Sequence, residues 1–157
     1  MIVTLEQIID IRAKLKSENK KVVFTNGCFD ILHSGHIDYL SKSKELGDIL
    51  IVGLNSDSSI RRIKGERRPI MNEIDRAFIL SSLKPVDYVI LFDEDTPAEI
   101  INQIIPDILV KGADWEISKI IGRDVVEKNG GQVKTITFVN DISTSKIIDI
   151  ILKRYTH

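Results

Sequence analysis

Five short β-branched runs alternate with stretches of helical spacing, and that alternation limits the fold more than any other feature of the chain. The runs are VVFT (22–25), ILIVGL (49–54), VDYVILF (86–92), DILVKG (107–112) and QVKTITF (132–138). Between them, Ile37, Leu40, Lys44 and Leu46 run up to Gly47, and Ile74, Ala77, Phe78 and Leu83 recur at helical intervals. Thr96 reads as an N-cap followed by Pro97 at the first helical position, and Gly130-Gly131 as a helix stop. Such a pattern predicts an α/β fold: a doubly wound five-stranded parallel sheet in the order 3-2-1-4-5, with helices on both faces. The near-continuous apolar runs agree, because strands buried on both faces lose polar alternation. A first helix is expected over about 4–17 and the core over about 21–152, all within a single domain, 1–157. A chain of 157 residues suits that size.

Charge and cysteine content exclude several classes of function. With 22 basic and 23 acidic residues the net charge is −1, so there is no general basic field for gripping nucleic acid. The single cysteine, Cys28, rules out an intramolecular disulfide framework. No apolar run approaches the ~20 residues that span a bilayer, and the first residues carry charges inside their apolar pattern, unlike an export peptide. The cytoplasm is the expected location, with no membrane partner.

In an open parallel sheet, ligands bind beyond the carboxyl ends of the strands. The first such loop reads TNGCFDILHSGH (25–36). His33 and His36, two of the chain's three histidines, fall one turn apart at a helix entrance, where unpaired N–H groups attract anions such as phosphate. Gly35 permits close backbone approach between them. Paired imidazoles there can donate to phosphate oxygens as charge builds during transfer. A zinc pair, or histidines that merely cap the helix, are the competing readings. Neither a G-x-x-x-x-G-K-[ST] nor a G-x-G-x-x-G motif occurs.

Residues 61–69, RRIKGERRP, hold Arg61, Arg62, Lys64, Arg67 and Arg68 against Glu66. They are either a solvated charge run or a cationic flap over the same sheet edge, with Arg76 on the next helix pointing back towards it. After the fourth run, Lys111-Gly112-Ala113-Asp114-Trp115 forms either a nucleoside wall or a turn with a packed aromatic. Ser143, Thr144 and Ser145 open the last helix, as a plain N-cap or as a pyrophosphate-binding start.

The string TNGCFDILHSGH resembles the H-x-G-H signature of the cytidylyltransferase-like nucleotidyltransferases. That resemblance implies a Rossmann-like fold and a role for His33 and His36 on the transferring α-phosphate of a nucleoside triphosphate. By the same resemblance Lys64 and Arg76 contact phosphates and the Cys28-Phe29 backbone helps form the nucleotide pocket. Lys111 and Asp114 belong to the nucleoside side, and Ser143 and Thr144 reach the outer phosphates. Asp30 is either an indirect contact to a metal or histidine or plain loop structure. Some family members carry an arginine shortly before that last element, where this chain has Phe138-Val139-Asn140-Asp141.

LHSGHIDYL, RRIKGERRPI, PDILVKGADW and ISTSKII together look most like the branch that adenylylates a heptose 1-phosphate. The implied reaction joins ATP and D-glycero-β-D-manno-heptose 1-phosphate into ADP-heptose, a precursor of lipopolysaccharide core, with Mg²⁺ on the triphosphate and no identifiable direct metal ligand. The chain would be a stand-alone form without the sugar-kinase domain, and a homodimer or higher homo-oligomer. Cytidylyl transfer to glycerol-3-phosphate or ethanolamine-phosphate, FMN adenylylation, and a non-catalytic nucleotide-binding module stay open at this point.

Overall fold

The computed structural model describes residues 1–138 and 142–156. Its sheet contains β1 (Ile2–Val3), β2 (Val22–Gly27), β3 (Ile49–Asn55), β4 (Tyr88–Phe92), β5 (Ile108–Gly112) and β6 (Gln132–Ile136). All pair in parallel, in the order β1-β4-β3-β2-β5-β6. From β2 onward this is the expected 3-2-1-4-5 winding. The correction is the sixth strand: Ile2 pairs with Val89 and Val3 with Ile90 at the sheet edge. Two residues are too few to show a period, and Thr4 follows at once as the N-cap of α1 (Leu5–Ser17), with Gln7 completing a capping box.

The remaining helices are α2 (Ser34–Lys44), α3 (Asp57–Lys64), α4 (Glu73–Ser81), α5 (Ala98–Ile104), α6 (Arg123–Lys128) and α7 (Thr144–Tyr155). Pro97, rather than Thr96, is the N-cap residue of α5, without a side-chain cap bond. Gly130 follows α6 at φ +82°, as a helix stop requires.

Alternation along the strands builds two cores. Val22, Phe24, Ile51, Ile90 and Leu109 pack against α1, α5 and α6 through Ile8, Leu15, Ile101, Ile104 and Val126. Val23, Leu50, Val52, Val89 and Val110 pack on the other side against Tyr39 and Leu40 of α2 and Ala77 and Leu80 of α4. In α4 the apolar pattern misleads. Ile74 and Phe78 are 75% and 67% exposed, whereas Arg76 is buried. The hydrogen bonds of Arg76 orient the helix, so its ring and isoleucine turn outward.

Candidate active site

A cleft of about 550 Å³ opens at the carboxyl ends of β2 and β5, within the usual size range of small-molecule sites. Asn26, Cys28, Phe29 and Asp30 supply its floor and His36 and Tyr39 one wall. Lys64 and Arg68 come from the basic segment, Lys111, Asp114 and Trp115 from the β5 loop, and Thr144 from the start of α7.

The loop after β2 is held in an unusual conformation. Phe29 adopts φ +44°, a left-handed setting that costs a bulky residue energy and persists only where its surroundings enforce it. Its ring fills the space beside Gly27, where an added Cβ would lie 3.0 Å away. The same ring meets His36 at 5.3 Å. His33 is the N-cap residue of α2, yet its side chain makes no cap bond, which argues against mere helix capping. Instead the imidazoles of His33 and His36 stack, with centroids 3.8 Å apart and planes 26° from parallel. Gly35 makes this possible, because a Cβ there would approach His33 Nδ1 to 3.0 Å.

Both Nδ1 atoms are buried and lack a hydrogen-bond partner among the described residues. Burial, and then the neighbouring His33, push His36 down to about 4; burial alone lowers His33. The pair is therefore uncharged at neutral pH, poised beside the cleft. Cys28 stays a thiol, since burial raises its pKa against the pull of Lys64, Arg76 and Arg68. Among the described residues no group of three His, Cys, Asp or Glu side chains could hold a metal ion, so the zinc reading finds no third ligand there.

The basic segment divides sharply. Lys64 ends α3 exposed at the cleft rim, with no hydrogen-bond or ion-pair partner given by the described residues. Arg62 reaches away to Asp93 and Asp95. Arg61 and Arg67 are exposed outside the cleft. Arg68 lines the cleft but its Nε is bound to Asp30 at 2.7 Å.

Of the two readings of Asp30 its hydrogen bonds favour plain loop structure, and the expectation for Arg76 needs correction. Asp30 is fully buried, and its oxygens accept from Arg68 Nε and from the backbone N–H groups of Ile70 and Met71 at 2.9–3.0 Å. It anchors the basic segment rather than addressing a metal or a histidine. Arg76, expected at a phosphate, has a side chain with no exposure and does not line the cleft. It donates to Met71 O at 2.9 Å, Cys28 O at 2.7 Å, Asn55 O at 2.9 Å and Asp57 Oδ1 at 2.7 Å. A guanidinium so engaged braces the β2 loop against α3 and α4. The helical pattern masked this, since nothing in sequence tells a buried strut from a ligand-binding arginine.

On the β5 side, Lys111 Nζ donates to Asn26 Oδ1 and lies 5.7 Å from the centroid of Trp115. Gly112 is required for a close approach: a Cβ there would sit 2.5 Å from Asp114 Oδ1 and 2.6 Å from Phe138. Phe138 stacks on Tyr39, whose hydroxyl is hydrogen-bonded to Thr25 at 2.7 Å. Ser143 caps α7 by accepting from Lys146 N, while Thr144 Oγ1 contacts Ile31 O at 3.5 Å, tying α7 to the histidine loop. The expected lack of an arginine at 139–141 concerns residues outside those described. Asn26 and Tyr39 line the cleft but were not singled out from sequence. Asn26, a polar side chain at a strand end, was the available signal.

A family model described as cytidylyltransferase-like matches residues 24–150. Curated relatives include the bifunctional protein HldE of Citrifermentans bemidjiense, 55% identical over 154 residues, which covers 98% of this chain and 32% of that protein. HldE of Campylobacter curvus is 55% identical over 147 residues, with 94% and 30% covered. The chain thus spans about a third of the length of these curated relatives. Among solved structures, the lipopolysaccharide core biosynthesis protein from Thermoplasma volcanium matches with TM-score 0.64 and 35% identity, over 78% of this chain and 99% of that one. A pantoate-beta-alanine ligase from Francisella tularensis shares the fold, with TM-score 0.65 at 16% identity.

Proposed function

The chain belongs to the cytidylyltransferase-like family, and on that premise we propose that it transfers AMP from MgATP to D-glycero-β-D-manno-heptose 1-phosphate, giving ADP-heptose and pyrophosphate. The observation that carries the reading is the stacked, uncharged imidazole pair of which His36 lines the cleft. The likeness of the sequence strings to the heptose branch and the match to the HldE proteins support this acceptor. The match to a lipopolysaccharide core biosynthesis protein supports the product's use.

An oxygen of the acceptor phosphate attacks the α-phosphorus in line, a P–O bond forms, and the bond to the β-phosphate oxygen breaks. The acceptor's second phosphate pKa is about 6, so it attacks already ionised and no general base is needed. Catalysis is then alignment and charge stabilisation. His33 and His36 donate to the α-phosphate as negative charge gathers, and an arriving triphosphate raises their pKa values, so that a proton taken up strengthens the contact. Lys64 swings from the rim onto the phosphates. The start of α7, with Ser143 and Thr144, receives the leaving pyrophosphate. Asp114 takes the ribose. Mg²⁺ enters as part of the nucleotide substrate, which suits a hard ion that keeps its waters.

We also propose a cytoplasmic location, where ATP is available, and a homodimer or higher homo-oligomer. No helix among the described residues is long and apolar enough to cross a membrane. Ile150, Ile151 and Leu152 of α7 are exposed, and sedimentation equilibrium reads the mass. The activity test is pyrophosphate release from ATP plus the heptose 1-phosphate. Turnover supports the reading, and none from folded protein rejects it.

A further inference from the structure

The cleft straddles the edge of the sheet, and its two halves differ. His36, Tyr39, Phe138 and Thr144 line the α2 side. Strand alternation puts Asn26 on the same face as Val22 and Phe24, and Lys111 on that of Leu109, the face covered by α1 and α5. Pro97, at the start of α5, lines this second half with them.

Lys111 is unlike the other shielded cations. Arg68 is paired with Asp30, Arg76 with Asp57, Arg12 with Asp107 and Lys44 with Asp87. Lys111 has the neutral side-chain amide of Asn26 and the ring face of Trp115, and no carboxylate of the described residues lies within ion-pair distance. A largely buried ammonium resting on an amide dipole is under-compensated, and an anion beside it supplies what is missing. Burial brings the group down to about 8, with Asp114 and Cys28 pulling the other way.

The α-phosphate and the outgoing pyrophosphate are served from the α2 side, by the imidazoles and the start of α7. The α5 side instead offers an indole that is 49% exposed, a flat apolar surface of the kind against which the C–H face of a sugar packs. We propose that Lys111, oriented by Asn26, binds the phosphate of the acceptor and so selects phosphorylated acceptors, with Trp115 packing on the sugar. This assignment moves Lys111 from the nucleotide to the acceptor side, and it rests on the adenylyltransferase reading.

Steady-state kinetics of Lys111→Gln and Lys111→Arg test it, with both substrates varied and ATP binding followed by calorimetry. Lys111→Gln is expected to raise the acceptor KM by at least about tenfold, the loss of a hydrogen bond to a charged group, while the KM and Kd for ATP stay within about twofold. Lys111→Arg should recover most of that loss. Asn26→Ala, which keeps the cation but frees it, should give a smaller rise in the same KM, and it decides the matter if Lys111→Gln fails to fold. An unchanged acceptor KM, or a rise in the ATP KM instead, overturns the assignment alone. A folded wild-type protein without pyrophosphate release overturns the adenylyltransferase reading and this inference with it.

Discussion

The basic segment and the histidine pair, which flank the cleft, are built on opposite terms. Around the basic segment almost every charge near the core is consumed internally: Asp30 takes Arg68 and two backbone N–H groups, and Arg76 spends four hydrogen bonds on three carbonyls and Asp57. At the α2 entrance the reverse holds, since two buried imidazole nitrogens have no partner among the described residues and their rings stack without charge. Leaving a buried polar atom unpaired costs about 1–3 kcal/mol, which a scaffold avoids and a ligand site can recover when filled. Satisfied polar groups therefore mark the frame, and the unpartnered imidazoles mark the proposed site.

The largest effect that can break this contrast falls on the frame. Arg76→Leu strands Asp57 and three carbonyls, and removing one partner of a buried pair costs about 3–5 kcal/mol. Thermal unfolding should show a drop in Tm of roughly 6–20 °C for a domain of this size. Arg62→Ala, by contrast, should leave Tm near wild type, because its pairs with Asp93 and Asp95 are exposed. A phosphate-binding Arg76 would show the opposite pattern, a stable variant with raised KM.

His33→Ala and His36→Ala should do to turnover what Arg76→Leu does to stability. Each is expected to lower kcat by about 10²–10³, with Tm held or raised, because an unpaired buried group is removed. Rates near wild type in both variants would remove the assigned role.

The remaining effect is a pH dependence of stability. His36 is held near 4 in the folded protein, below its ordinary value of 6.5, so the unfolded chain binds more protons between those limits. The stability that neutral His36 contributes is complete above pH 6.5 and is lost as pH falls towards 4. Unfolding midpoints across that window should decline less steeply in His36→Gln than in wild type.

How legible was all this in the sequence? The sheet order and the place of the cleft were readable because they follow from periodicity and from loops at strand ends. His33 and His36 stood out as an unusual residue pair in such a loop, and Cys28, Phe29 and Lys64 through the family resemblance; Cys28, Phe29, His36 and Lys64 line one cleft, while His33 stacks on His36 outside that lining. The two-residue β1 was invisible, being shorter than any period. Arg76 was misread and Asp30 left undecided because charged residues look alike in sequence whether they face a ligand or brace a fold; only their hydrogen bonds distinguish them. Asn26 and Lys111 lie 85 positions apart, and only the parallel pairing of β2 with β5 brings them together.

The most direct measurement is an NMR titration of the imidazole resonances of His33 and His36, with and without ATP and Mg²⁺. The account predicts that His36 titrates near 4 in the free protein and moves upward when the triphosphate binds, with His33 shifting in the same direction. Two histidines titrating near 6.5 and indifferent to nucleotide would contradict it.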